Sequence, residues 1–131
     1  MDTLKLEIVT PEGQIFSNDV KSVTLPGKEG EFGVLPNHAS LVTLLQAGVI
    51  DIELKDANHD VVAINWGHVK VDENSVTVLA DGAVSIGGTT ESEVAKSIEA
   101  AKKLLESISD SDIAIAIATA KMDSVAKSRK F

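Results

Sequence analysis

Apolar residues recur at every second position through much of the first two-thirds of the chain, with polar or charged residues between them. The apolar positions of four such segments are Leu4, Leu6 and Ile8; Ile50, Ile52 and Leu54; Val69 and Val71; and Val76 and Val78. A period of two with a single apolar face predicts antiparallel strands half-buried against a second sheet. Short strands separated by polar turns predict an all-β sandwich or flattened barrel of about eight to ten strands.

The period changes after Gly87 and Gly88, where Thr90 and Glu93 have the spacing of a helix capping box. One helical face is predicted from Val94, Ile98, Ala101, Leu105 and Ile108, and a second, after the polar break at 109–112, from Ile115, Ala118, Met122 and Val125. The local sequence IAIAIA also fits a strand, but the alanine content favours a helix. The pattern therefore predicts a C-terminal antiparallel two-helix hairpin with a narrow, alanine-rich seam.

Glycine, proline and charge divide the chain at the same point. All nine glycines and all three prolines lie at or before Gly88, and these residues favour turns over helix interiors. Residues 1–88 carry 13 acidic and 5 basic side chains, whereas residues 89–131 carry 7 of each. We therefore expect a β-sandwich domain at 1–88 and a mobile helical domain at 89–131, the first strongly acidic and the second ending in a basic tip.

Composition excludes several classes of protein. The chain has no cysteine, which rules out disulfides and thiolate metal sites. No apolar run approaches the roughly 20 residues that a membrane-spanning helix needs, so we expect no direct membrane insertion. The start of the chain lacks the layout of an export signal. The net charge of −8 argues against a nucleic-acid partner.

Candidate catalytic or metal-binding chemistry is sparse. His38, His59 and His68 do not have metal-ligand spacing, and no serine lies in a G-x-S-x-G motif. The glycines around Lys28 do not match a phosphate-binding loop, because the lysine precedes a glutamate and no helix is predicted to follow. We expect no catalytic residue, no metal and no cofactor.

The stretch GEFGVLPNHASLV at residues 30–42 closely resembles the G-E-x-G-[IVL]-x-P-x-H-A signature of the epsilon subunits of bacterial F-type ATP synthases, which the mitochondrial delta subunits share. The opening L-x-x-x-I-V-T-P-E-G-x-x-F at 4–16 and the V-T-V-L-A-D at 76–81 match as well. The likeness extends over essentially the whole chain. It implies a sandwich of about ten strands, in a non-catalytic rotor subunit of the central stalk at the cytoplasmic face of the bacterial inner membrane.

The resemblance also implies partners and site residues. The loop Glu29, Gly30, Glu31 and Phe32 matches the segment that meets the c-ring, with Glu31 supplying a charge and Phe32 an exposed apolar anchor. His38 matches a residue near the contact with the gamma subunit. The C-terminal helices are implied to extend along gamma into the alpha and beta subunits, where they inhibit ATP hydrolysis. We expect the basic tip to meet acidic loops of the beta subunits through Lys121, Lys127, Arg129 and Lys130.

One departure concerns nucleotide. Many bacterial relatives carry I/L-D-x-x-R-A at the first tail helix and bind ATP there, and residues 92–97 occupy the matching positions. Here Glu93 and Lys96 keep only the signs of the motif's charges. Lysine cannot form the planar pair of hydrogen bonds that an arginine side chain forms. We therefore expect no ATP binding at this motif.

Two other classes of protein remain as alternatives. A stand-alone β-sandwich module that captures a small ligand is disfavoured, because ligand sites on sandwiches usually carry exposed aromatic side chains. This chain has only Trp66 and three phenylalanines, and no tyrosine. A small hydrolase is disfavoured by the missing motifs. Co-purification with gamma distinguishes the docking subunit from both.

Overall fold

The computed structural model describes residues 3–86 and 91–106, and it contains ten strands and one helix in that part of the chain. The strands are β1 (Leu4–Thr10), β2 (Gly13–Val20), β3 (Ser22–Gly27), β4 (Gly30–Val34), β5 (Leu41–Leu45), β6 (Gly48–Glu53), β7 (His59–Ile64), β8 (Gly67–Val71), β9 (Ser75–Ala80) and β10 (Ala83–Ile86). The helix α1 covers Glu91–Glu106. Within these residues, no helix has the length and apolar character needed to cross a membrane.

The ten strands form one continuous sheet that folds over to make two layers. Its order is β10-β7-β6-β3-β5-β8-β9-β1-β2, with β4 paired to the other edge of β3. All pairs are antiparallel except β1 with β9, which is parallel. Strands β2, β1, β9, β8 and β5 form the first layer, and β4, β3, β6, β7 and β10 form the second. Because β10 also approaches β2, the two layers make a nearly closed sandwich.

Three pairs of consecutive strands, β5–β6, β7–β8 and β9–β10, each continue from one layer into the other through a bend. The register that pairs β6 with β7 continues without a shift into the pairing of β5 with β8, and the register of β7 with β10 continues into β8 with β9. The bend in the last two lies at Asn65, Trp66, Asp81 and Gly82, which we call the corner. Two backbone hydrogen bonds carry the ladder through it, from Asn65 N to Gly82 O and from Asp81 N to Trp66 O.

The main core lies between the two layers. It consists of the inward side chains of alternating strand positions, which include Leu4, Leu6, Ile8, Leu25, Ile50, Ile52, Val69, Val71, Val76 and Val78. Each of these residues is at most 2% exposed. The alternation in the sequence thus identified the core-facing side of the strands correctly.

A second, smaller core lies on the outer face of the second layer. There Val94, Ile98 and Ala101 of α1 pack against side chains of β6, β7 and β10, namely Val49, Val61, Ala63 and Ile86. Four successive residues of β7, from Val61 to Ile64, are consequently all buried. One face of this strand meets the main core and the other meets the helix, so its sequence cannot alternate.

The sequence prediction of an all-β sandwich of about ten strands is confirmed, as is a helix after it. Val94, Ile98 and Ala101 form the buried face of α1 as predicted, but in the described residues that face contacts the sandwich and not a second helix. The second helix of the predicted hairpin lies outside the described residues.

Candidate functional site

The outer face of the first layer carries a row of apolar side chains that nothing covers in the residues that the structure describes. Val9 of β1, Leu79 of β9, His68 of β8 and Leu44 of β5 occur opposite one another in register, in a row across four strands. Leu79 is 55% exposed and Leu44 is 42% exposed. Val42 and Trp66 add to this surface at 71% and 47% exposure. We call Val9, Val42, Leu44, Trp66 and Leu79 the apolar outer face.

The two outer faces of the sandwich differ in what covers them. The second layer buries its outer apolar side chains under α1, and Val61 and Ala63 there are fully buried. In the part of the chain that the structure describes, no element packs over the apolar outer face of the first layer. Clustered large apolar side chains on a surface mark a contact site for another protein far more often than isolated ones do.

The corner is held by a buried amide. Asn65 is 5% exposed, and its Oδ1 accepts hydrogen bonds from the backbone N–H groups of Trp66 at 2.8 Å and Gly82 at 2.7 Å. Its Nδ2 donates to Oδ2 of Asp81 at 3.1 Å. This network fixes the amide orientation, because only the oxygen can accept from two N–H groups. It also fixes the backbone on either side of Trp66, the aromatic residue of the apolar outer face.

A groove runs along this corner. It has a volume of about 340 Å³ and is lined by the end of β1, the end of β9 and the start of β8, including Val9, Pro11, Trp66, Leu79 and Asp81. The rings of Trp66 and His68 meet edge to face with centroids 6.1 Å apart. The lining is mostly apolar, and Asp81 is its one acidic residue.

The predicted c-ring loop is the turn of the β3–β4 hairpin. Glu29 and Glu31 are exposed, and Gly30 has a φ of 133°, a backbone conformation that favours glycine. The expectation that Phe32 is an exposed anchor is wrong. Phe32 pairs with the fully buried Leu25, so its side chain points inward and packs, half-buried, against the main core.

His38 lies in the loop between β4 and β5, close before the strand that carries Val42 and Leu44. The residue before it, Asn37, has a positive φ of 67°, and its N–H donates to the carbonyl of Glu73 at 2.7 Å. His38 is half-buried, with Nδ1 at 2.7 Å from the carbonyl oxygen of Ala39. The loop is thus anchored to the β8–β9 turn, and its contact with gamma remains a prediction.

The two residues of the degenerate ATP motif lie on α1. Glu93 and Lys96 are both exposed, on the sides of the helix away from the sandwich. A shallow, mostly apolar groove runs along this surface and includes Ala95, Lys96, Glu99 and Ala100. The basic residues Lys121, Lys127, Arg129 and Lys130 lie outside the described residues.

The remaining histidines are not brought together. His59 is exposed, and its Nδ1 is 2.8 Å from Oδ1 of Asp51, while His68 is exposed beside Trp66. Among the residues described, no three histidine, aspartate or glutamate side chains are placed to hold a metal ion.

Sequence reasoning missed the apolar outer face. In the sequence this face is indicated by apolar residues at strand positions where the alternating pattern predicts a solvent-exposed polar residue. Leu79 lies between the buried Val78 and Ala80, and Leu44 precedes the buried Leu45. A search for such breaks in the alternation would have identified both leucines, but only pairing places them next to each other.

Fold and surface together define a β-sandwich domain with a helix packed on one layer and exposed apolar side chains on the outer face of the other. Residues 3–86 match the family model described as ATP synthase, Delta/Epsilon chain, beta-sandwich domain. The chain is 62% identical over 129 residues to the ATP synthase epsilon chain of Campylobacter curvus (strain 525.92), covering 98% of this chain and 100% of that one. It is 63% identical over 126 residues to the epsilon chain of Aliarcobacter butzleri, covering 96% and 100%. The chain therefore belongs to the ATP synthase delta/epsilon chain family, and the resemblance noted in its sequence is confirmed.

Solved structures agree on the fold. A chain of the Euglena gracilis mitochondrial ATP synthase, solved as OSCP/F1/c-ring in rotational state 1, superposes with a TM-score of 0.63 at 22% identity. That match covers 97% of this chain and 79% of the Euglena chain. A chain from the central stalk and c-ring of the Tetrahymena thermophila mitochondrial enzyme gives a TM-score of 0.56 at 15% identity, covering 93% of this chain and 90% of that one. At these identities the likeness shows the shared fold.

Proposed function

We propose that this chain is a non-catalytic rotor subunit of the central stalk that docks on the gamma subunit through its apolar outer face. In this role it couples rotation of the catalytic head to ion movement through the c-ring. It lies at the cytoplasmic face of the bacterial inner membrane as a peripheral part of the complex.

One observation carries the docking proposal: the sandwich has two apolar outer faces and, in its described part, a helix packed on only one of them. Val42, Leu44, Trp66 and Leu79 are each more than a third exposed, and burial of such side chains in an interface contributes roughly 25 cal/mol per Å². Aromatic and aliphatic anchors at the centre of a patch carry most of an interface's energy. Membership of the ATP synthase family makes gamma the partner that this face would meet.

The β3–β4 turn is the segment that we assign to the c-ring. Two backbone hydrogen bonds stiffen its base, from Lys28 N to Leu44 O at 3.0 Å and from Gln46 N to Pro26 O at 2.9 Å. The exposed Glu29 and Glu31 then present a negative turn on a rigid support. A stiff turn transmits torque between gamma and the ring better than a mobile loop would.

The helical domain at 89–131 is the regulatory element of the proposal. In the described residues, α1 is seated on the sandwich by three buried side chains, whose contribution is on the order of 5 kcal/mol. This packing energy is comparable with the roughly 5.5 kcal/mol that moves a two-state equilibrium from 1:99 to 99:1. Docking of the helices on the alpha and beta subunits, with Lys121, Lys127, Arg129 and Lys130 against acidic beta-subunit loops, would compete with the seated state and inhibit ATP hydrolysis.

Replacement of Leu44 with aspartate tests the docking face. The 42% exposed side chain tolerates a carboxylate in the free protein, but a charge within a dry interface should weaken gamma binding by about 100-fold. Titration of the tagged gamma subunit with each variant measures the change. The variant Ala57→Asp adds the same charge in the exposed β6–β7 turn, where the positive φ of 69° suits aspartate, and it should bind like the unmodified chain. Equal affinity of the Leu44→Asp variant would remove this face from the interface.

Deletion of residues 112–131 tests inhibition. We expect the assembled complex to hydrolyse ATP several-fold faster, because the tail can no longer reach the catalytic subunits. The measurement is steady-state ATPase activity of the purified complex, with the fourfold glutamine variant of Lys121, Lys127, Arg129 and Lys130 as a full-length comparison. If activity does not rise in the truncated complex, the inhibitory role is refuted for this chain.

A further inference from the structure

The groove at the corner combines apolar walls with a single carboxylate. Val9, Pro11, Trp66, His68 and Leu79 line it, and Asp81 is the one acidic residue of the lining. Its volume of about 340 Å³ is near the roughly 300 Å³ at which small-ligand pockets begin, so it suits one long side chain and little more.

Asp81 is held in position and yet available. Asn65 Nδ2 donates to its Oδ2, and the residue itself is exposed. In residues 3–86 and 91–106, no lysine or arginine of the chain forms an ion pair with it, whereas Glu7 and Asp19 each have a lysine partner. The surrounding domain carries 13 acidic against 5 basic side chains over residues 1–88, which favours a cationic occupant further.

We infer that this groove receives a single basic side chain of gamma, with its aliphatic stem between Trp66 and Leu79 and its cationic end on Asp81. The inference rests on the proposed docking of gamma on this face and adds the chemistry of one contact. Arginine fits best, because a guanidinium group stacks on an indole face and binds a carboxylate at two points. A purely aliphatic occupant would bury the carboxylate at the interface without a cationic partner, which is unfavourable even with the hydrogen bond from Asn65.

The substitution Asp81→Asn isolates the charge. The new amide oxygen still accepts from Asn65, so the corner is preserved, but the ionic contact is lost. We expect gamma to bind about tenfold more weakly, with a smaller dependence of affinity on salt. The matched control is Asp56→Asn, which removes the same charge from the exposed β6–β7 turn, where Oδ1 still accepts from the backbone N–H of Asn58. A second variant, Trp66→Leu, keeps an apolar wall and removes only the aromatic face, and it should weaken binding several-fold.

A double-mutant cycle identifies the partner residue. Each surface arginine and lysine of gamma is changed to methionine in turn, and its effect is measured against both the unmodified chain and Asp81→Asn. One gamma position should weaken binding to the unmodified chain and have no further effect on the Asp81→Asn variant. If Asp81→Asn binds gamma like the control, or if no basic position couples to it, the inference is overturned. Loss of binding by Leu44→Asp would still support the docking face in that case, whereas unchanged binding by Leu44→Asp would reject the docking proposal itself.

Discussion

Alanine at Gly67 is expected to lower the free energy of unfolding by about 3 kcal/mol or more. Gly67 is buried where β8 begins, directly after the corner. A Cβ there would lie 2.4 Å from the carbonyl oxygen of Leu79 and 3.1 Å from the Cα of Ala80. Both are backbone atoms of the paired strand β9, so neither can move aside without opening the ladder. The measurement is the urea midpoint of the isolated chain.

The matched control is Gly33→Ala, also in a strand. There the nearest atom to the added Cβ is Thr24 Oγ1 at 4.0 Å, so the methyl group meets open space. We expect a change within about 0.5 kcal/mol, because the smaller freedom of the unfolded chain partly offsets any local adjustment. Equal midpoints for the two alanine variants would show that the close approach at Gly67 does not constrain the fold.

Removal of the Asn65 side chain, as in Asn65→Ala, is expected to destabilise the protein by about 3 kcal/mol, because the backbone N–H groups of Trp66 and Gly82 both lose their acceptor. The amide is 5% exposed, so water does not readily replace it. Because Trp66 follows Asn65 directly, the same change should weaken gamma binding at the apolar outer face. Urea unfolding measures the first effect and titration with gamma the second.

Two further variants distinguish the hydrogen bonds from simple loss of volume. The control Asn74→Ala removes an exposed amide whose residue bonds through its backbone carbonyl, and it should be near neutral. The double variant Asn65→Asp with Asp81→Asn keeps an acceptor for both N–H groups and reverses the direction of the side-chain bond. It should recover most of the stability that Asn65→Asp alone loses through two adjacent carboxylates. A double variant no more stable than Asn65→Asp would contradict the hydrogen-bond assignment.

The corner links these predictions to function. A Cβ on Gly82 would lie 2.9 Å from Asn65 Nδ2 and 3.2 Å from Leu104 Cδ1, so α1 lies against one side of the corner while Trp66 is exposed as part of the apolar outer face. Substitutions there are therefore expected to disturb both the docking face and the seat of the helix.

The sequence alone predicted the class of fold well because alternation and helical periodicity are local. Leu4, Leu6 and Ile8 face the core as their spacing requires, and Val94, Ile98 and Ala101 form one helical face. The family signature at residues 30–42 identified the family directly. Phe32 was mispredicted because its exposure depends on its pairing with Leu25 across the hairpin, which a linear motif does not specify.

The sequence by itself therefore determined the set of elements, which are about ten short strands and a helix after the last glycine, together with the acidic character of residues 1–88 and the family. Only the tertiary structure decided which apolar surfaces are covered. Val61 and Ala63 are buried because α1 packs over them, whereas Leu44 and Leu79 are exposed although they are equally apolar. The physical reason is that burial depends on contacts between residues far apart in the chain, and the bend at Asn65 and Gly82 determines which of those contacts can form.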